Sequence, residues 1–331
     1  MMKLLVKSSL ILAFFVVVLG AYTRLTDAGL GCPDWPGCYG QLIVPSAPEA
    51  VDAAQTSYPE RPVESDKAWT EMVHRYFAAT LGLFILMIAV ISRRAQSALL
   101  NEHATPNKLP LLILILVIGQ GALGMWTVTM NLMPVIVMAH LLGGFTILSL
   151  LFLLHIRLTR FQLPQSDIRA KSTAKFAVLG IVILVFQIAL GGWTSANYAA
   201  MACIELPICE GNWPQRLDFA HAFSLPEAEN YEFGKHSYEG RITMHIMHRF
   251  GALLTFLYLC WMGIHLYRRT LSIMIKKQAA FLLLLLVVQV SLGVSNVYFK
   301  LPLTVAVMHN GVAALLLLSL VLISYTLYRK T

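Results

Sequence analysis

Polar and apolar residues fall in long blocks along this chain. Apolar runs cover residues 6–24, 72–92, 109–129, 135–156, 174–195, 243–267, 279–299 and 304–328. A helix rises about 1.5 Å per residue, so some 20 residues cross roughly 30 Å of hydrocarbon. A segment alone in lipid must satisfy its own backbone hydrogen bonds, and the runs lack the alternation of barrel strands. Eight transmembrane helices are therefore predicted. The first run follows Lys3 and Lys7 and ends in small residues, like a cleaved secretion signal. Its counterpart later in the chain argues for a retained helix. Two long segments between runs, 26–70 and 196–241, are rich in Pro, Asp and Glu, and only short helical pieces are expected there.

Composition agrees with a membrane protein: 57% of the 331 residues are hydrophobic and 13% charged, against about a quarter charged in soluble domains. Charge then sets the orientation. The N-terminus, the connections after the second, fourth and sixth runs, and the C-terminus hold 16 of the 25 basic residues but only Glu102 and Asp167 among the 17 acidic ones. The positive-inside bias places these segments and both termini in the cytoplasm. The net charge of +8 thus reports topology. A basic face against anionic lipid accounts for it, and no nucleic-acid partner is implied.

The chain repeats itself. LGAYT from Leu19 matches LGGWT from Leu190 at an offset of 171, as do Cys32 with Cys203 and Cys38 with Cys209. HRYFAATLGLF from His74 matches HRFGALLTFLY from His248 at 174, and Gln120 and His140 map to Gln289 and His309 at 169. Near-constant offsets over several elements signal duplication. Each copy has an even number of spans, so both run the same way through the membrane about a pseudo-twofold along its normal. The expected fold is all-α: eight transmembrane helices as two tandem four-helix bundles. Residues 1–160 form the N-terminal half with external loop 26–70, and residues 161–331 the C-terminal half with external loop 196–241.

Both loops face the oxidising side, where closely spaced cysteines pair, so Cys32–Cys38 and Cys203–Cys209 disulfides are expected. A metal site would want CxxC or neighbouring histidines, and thioether-linked haem would want CxxCH; the loops have neither. Cys260, inside the sixth run, reads as a small core residue.

Five of the ten histidines lie near the external ends of even-numbered spans: His74, His140, His245, His248 and His309. Polar groups within a span are costly and by default functional. A lone one is usually a packing residue, but the pairs His74/His140 and His248/His309 recur at matching places in both halves. Two neutral imidazoles on facing helices are the arrangement that holds haem iron from both sides. Zinc or di-iron would want added cysteine or carboxylate ligands. His103, His155 and His265 at the cytoplasmic side, and His221 and His236 in a loop, read as solvated or interfacial. Arg24, Arg75 and Arg249 either pair with haem propionates or snorkel to the interface. The halves differ one turn before the paired histidine, with Glu71 in the first and His245 in the second. A carboxylate at Glu71 either favours the helix N-terminus or looks into the first pocket. The asymmetry suggests one reactive site and one electron-transfer or structural site.

The run GAYTRLTDAGLGCPDWPGC, the EMVHR of the second span, the second HR in the sixth and the helices of His140 and His309 closely resemble the haem A synthase family, over essentially the whole chain. The resemblance implies a membrane oxidoreductase of the bacterial cytoplasmic (inner) membrane that oxidises a methyl of haem O to a formyl group, giving haem A for haem-copper oxidases. It implies that His74 and His140 receive the substrate haem, that His248 and His309 ligate a resident haem b, and that Glu71 is the catalytic carboxylate. The first cysteine pair matches the family's external disulfide. The haem sites would lie near the periplasmic surface. Haem O synthase and oxidase assembly factors are the implied partners besides the bilayer, with a homo-oligomer left open. The alternative reading is a di-haem b electron-transfer subunit of the quinol oxidoreductase type, which would normally place its haems at different depths. A third, a haem carrier, would need the same ligands but not Glu71.

Overall fold

The computed structural model describes residues 1–98, 108–159 and 167–328. Of the residues named above, Glu102 and His103 lie outside the described residues, as do Arg160, Arg329, Lys330 and the side chain of Arg169 among the 16 basic residues counted on the cytoplasmic side. Eight helices are long and apolar enough to cross a membrane: α1 (Met2–Leu25), α2 (Ser65–Ala98), α3 (Lys108–Thr129), α4 (Pro134–Leu158), α5 (Ala174–Ala196), α6 (Tyr238–Arg269), α7 (Ile273–Tyr298) and α8 (Leu303–Tyr328). Among the described residues there is no β-strand, only one isolated antiparallel bridge, Cys38 with Gln41. The chain is a multi-pass, all-helical protein.

Helices α2 and α6 begin one to two turns before their apolar runs. Asp66 and Glu239 occupy the first turns, where a negative charge suits the positive end of the helix. The Ser237 side chain caps α6 by accepting from the Gly240 N–H at 3.1 Å. Hydropathy sees apolar length, so it misses polar first turns that project a helix beyond its apolar stretch.

Contacts divide the chain into two units, Met1–His155 with Ala228–Glu232, and Ile156–Glu227 with Phe233–Thr331. In the first, α1 packs on α2 and α2 on α3. The segment 228–232 joins it through Tyr231 N–H to the Asn131 carbonyl (3.0 Å) and an Arg61–Glu232 ion pair (3.0 Å). In the second, α5 packs on α6, α6 on α7, α7 on α8 and α8 on α5, a closed ring. Helix α5 buries Ala177, Gly180, Leu184, Gln187 and Ile188 at helical spacing and turns Val178, Val182 and Phe186 outward. The small residues Ala177 and Gly180 in that stripe let helices approach closely where lipid supplies no hydrophobic drive, while the outward apolar side chains suit acyl tails.

Local structure repeats as well. Helices α1 and α5 end on left-handed Asp27 and Tyr198, followed by bonds from Ala28 N–H to the Thr23 carbonyl and Ala199 N–H to the Thr194 carbonyl. Helices α3 and α7 end on left-handed pairs, Asn131–Leu132 and Lys300–Leu301. The left-handed residues let the backbone reach back to orphan carbonyls at the helix ends.

Candidate functional site

The four paired histidines are seated in one way, each against a glycine on the helix that precedes its own. A Cβ placed on Gly20 of α1 would meet His74 Cε1 at 3.0 Å, and one on Gly191 of α5 would meet His248 Cε1 at 2.9 Å. Likewise Gly124 of α3 faces His140 Cε1 at 3.2 Å, and Gly293 of α7 faces His309 Cε1 at 3.2 Å. A missing side chain thus makes each notch, and any Cβ would crowd the imidazole. His140 lies within electrostatic range of His74, and His309 and His245 within that of His248. The pairs expected from sequence are therefore brought together, each within its own unit.

Sequence reasoning registered Gly20, Gly191, Gln120 and Gln289 only as repeated positions and missed the role of the glycines and their companions, although a signal was present. Every notch glycine follows a leucine, and in three of the four helices a glutamine stands one turn earlier: Gln120, Gln187 and Gln289 in the pattern Q-x-x-L-G. Spacing of four puts glutamine and glycine on one face. In α1 the same pattern reads V-x-x-L-G, with Val16 in place of glutamine. Gln120 Nε2 donates to the His140 carbonyl at 2.6 Å. Gln187 Nε2 lies 3.0 Å from both the His248 carbonyl and His248 Nδ1. Gln289 Nε2 lies 3.3 Å from both ring nitrogens of His309.

Glu71 is buried one turn before His74. Its Oε1 meets Arg75 Nη2 at 2.5 Å, and its Oε2 accepts from the Cys32 backbone N–H at 2.9 Å. Two cationic or polar donors thus hold a buried anion in one orientation, as a carboxylate in low dielectric requires. At the corresponding place in α6, His245 is buried with Nδ1 3.2 Å from the Ala199 carbonyl.

The two arginines that follow these histidines hold the cysteine loops. Arg75 Nη1 donates to the carbonyls of Asp34 (3.0 Å), Pro36 (3.3 Å) and Gly37. Arg249 Nη1 donates to those of Glu205 (2.7 Å), Pro207 (3.4 Å) and Ile208, residues matching at an offset of 171. The sulfurs of Cys32 and Cys38 are 2.00 Å apart and those of Cys203 and Cys209 1.97 Å, so both expected disulfides are present. The first loop packs Cys32, Cys38, Tyr39, Val44 and Ala54 onto Ala68 and Met72 of α2. In the second, burial pushes the Glu210 carboxyl up, but backbone N–H groups including those of Ile204 and Glu205 outweigh it and hold it below the usual carboxylate range. Arg24 stands 3.6 Å from Asp27.

The donor sets suit a porphyrin iron. Each pair offers two half-buried imidazoles, and the Nδ1 atoms of both His74 and His140 are themselves buried without a partner. Among the described residues, the one cluster of three candidate metal-binding side chains is Cys203, Cys209 and Glu210, and its sulfurs are joined to each other. Paired histidines that no described cysteine or carboxylate joins in such a cluster would suit haem iron better than a tetrahedral zinc centre.

Fold and site together define a polytopic helical membrane protein with two glycine-notched histidine pairs, one of them beside a buried carboxylate. The sequence model of the cytochrome oxidase assembly proteins (COX15-CtaA) matches residues 3–321, and the chain belongs to that family. It is 49% identical to a heme A synthase of Shewanella oneidensis over 99% of this chain and 97% of that protein. Proteins of the same description from Chelativorans sp. and Mesorhizobium japonicum are 30% and 27% identical, covering 92% and 93% of this chain and 84% and 85% of their own lengths.

Proposed function

We propose that the protein is a haem A synthase, a membrane oxidoreductase that converts the methyl group of haem O to a formyl group. The observation that carries this reading is the pair of notched histidine sites with Glu71 fixed beside only the first. The relatives' shared description supports the same activity. In this reading His74 and His140 hold the substrate haem O, and His248 and His309 hold a resident haem b. Haem, when bound, supplies the oxidising chemistry that an unactivated methyl requires, while the protein supplies position and electrostatics.

The role of each residue follows from its setting. The glycine notches set the imidazoles between helices. Glu71, held by Arg75 and the Cys32 N–H, is a fixed negative charge one turn from His74. An anion so oriented stabilises positive charge or accepts a proton at the neighbouring substrate without reorganising. Arg75 couples that charge to the disulfide loop. The loops close over the histidine ends of α2 and α6, and in this reading they face the periplasm, with both termini in the cytoplasm of a bacterial inner membrane. Haem O synthase and oxidase assembly factors are the partners this activity implies.

Pigment extraction after co-expression with a source of haem O tests the activity. The wild-type chain yields the formyl product; haem O recovered unchanged would sink the reading.

A further inference from the structure

The four histidines share one kind of notch, yet they differ in what stands at the second edge of the ring. A ligating imidazole gives one nitrogen's lone pair to the metal and carries hydrogen on the other. The acceptor for that hydrogen fixes ring orientation and ligand basicity. In the C-terminal unit an amide end stands at each ring, Gln187 at His248 and Gln289 at His309. The Oε1 atoms of these same two amides are buried without a partner. The acceptor a ligated ring needs is therefore on the side chain already against it, one bond rotation away. Gly251, across from α5, leaves the space into which Gln187 Oε1 is turned.

The N-terminal unit lacks this arrangement. Val16 offers His74 no polar group; Gln120 Nε2 donates to the His140 carbonyl, a bond that Gln187 also makes to the His248 carbonyl, so the difference lies at the ring edge, where His74 and His140 each keep a buried, unpartnered Nδ1.

We propose that Gln187 and Gln289 are positioning residues that make the C-terminal histidine pair a permanent haem site, and that Val16 leaves His74 an exchangeable ligand. The asymmetry suits a resident group in one half and a substrate that must leave in the other. The proposal rests on the reading that His248 and His309 hold the resident haem. It goes beyond that reading in naming what makes the site permanent.

The test uses the full chain purified with its resident haem. Three quantities are measured: the haem midpoint potential, its low-temperature electron paramagnetic resonance signature, and the rate of haem loss to excess apo-globin. Gln187→Val, which copies α1, removes the acceptor. It is expected to speed haem loss about 10–100-fold, and to raise the potential, because a less basic imidazole stabilises ferric iron less than the wild-type ligand does. Gln187→Glu keeps an oxygen at the ring, so it should slow haem loss relative to Gln187→Val and move the potential the opposite way. Val16→Gln should increase the substrate-type haem that co-purifies. Gln289→Val reports on the second ring should Gln187→Val not fold. Potentials and loss rates unmoved in Gln187→Val and Gln289→Val overturn the proposal. His248→Ala separates the two levels: full retention of the resident haem there brings down the ligand assignment itself.

Discussion

Arg75 and Arg249 do the same work on their cysteine loops, but they differ in where the second half of the guanidinium goes. In the N-terminal unit Nη2 reaches back to Glu71 at 2.5 Å. In the C-terminal unit Nη2 donates to the Cys203 carbonyl at 2.7 Å, and His245 stands where the carboxylate would be. Duplication has therefore kept the scaffold of notch, histidine and clamped loop, and changed the group one turn ahead of the histidine. A buried carboxylate demands donors, so Glu71 ties the cysteine loop, through the Cys32 N–H, to Arg75 of α2. His245 demands less, since a neutral imidazole is content with one backbone carbonyl. In the proposed reading the scaffold binds, and the departure from symmetry marks the reactive site.

The strongest way to break this comparison is to remove ligands from one half at a time. His248→Ala or His309→Ala should abolish the resident haem b absorption of the purified protein, whereas His74→Ala or His140→Ala should leave it in place. A normal spectrum in the first pair would refute the division of labour. Next in size, Glu71→Gln should keep the resident haem and lower the rate of formyl product by about 10²–10⁴-fold, the usual contribution of a positioned acid or base. His245→Gln should leave that rate within a few-fold. Equal losses in both variants, scored on extracted pigments, would erase the asymmetry.

A smaller contrast separates the arginines. Arg75→Ala strands a buried carboxylate, and breaking one side of a buried ion pair costs about 3–5 kcal/mol. Arg249→Ala removes only charge-assisted bonds to carbonyls, about 1.5–3 kcal/mol. Thermal unfolding in detergent should rank Arg75→Ala the less stable, and Glu71→Gln should relieve part of its defect. The reverse ranking would show that Glu71 is not held as a charge.

Much of this architecture was legible in the sequence because lipid leaves few solutions. The apolar runs gave eight helices, and the repeated spacing gave the histidine pairs and both disulfides. Three things were harder to read. The early starts of α2 and α6 lie in polar turns that hydropathy does not register. The loop core around Tyr39 and Val44 depends on contacts between Cys32, Cys38 and α2 that no local pattern encodes. For Arg75 and Arg249, sequence weighed propionate pairing against snorkelling; the loop carbonyls that occupy them lie some 40 residues away in the chain. The notch glycines were within reach, because Leu-Gly recurs on all four odd-numbered helices, but a glycine in an apolar run carries no chemistry of its own to draw notice.

Those glycines give the finest test of the comparison. Gly191→Ala would place a Cβ 2.9 Å from His248 Cε1, and Gly20→Ala one 3.0 Å from His74 Cε1, so on space alone the two are nearly equal. Overpacking of this kind costs about 1–3 kcal/mol when neighbours cannot yield. His248 is the less able to yield, because the Gln187 amide meets its ring at 3.0 Å, whereas His74 has no partner at Nδ1 and can shift. Gly191→Ala should therefore perturb the resident haem spectrum and speed haem loss more than Gly20→Ala perturbs substrate binding. Gly82→Ala in α2, where a Cβ meets nothing within 4 Å, is the control, and it should be neutral or stabilising by about 0.5–1 kcal/mol through helix propensity. If Gly191→Ala and Gly20→Ala were equally mild, the imidazoles would be free on both sides, and the difference drawn between a fixed and an exchangeable pair would fail at its physical root.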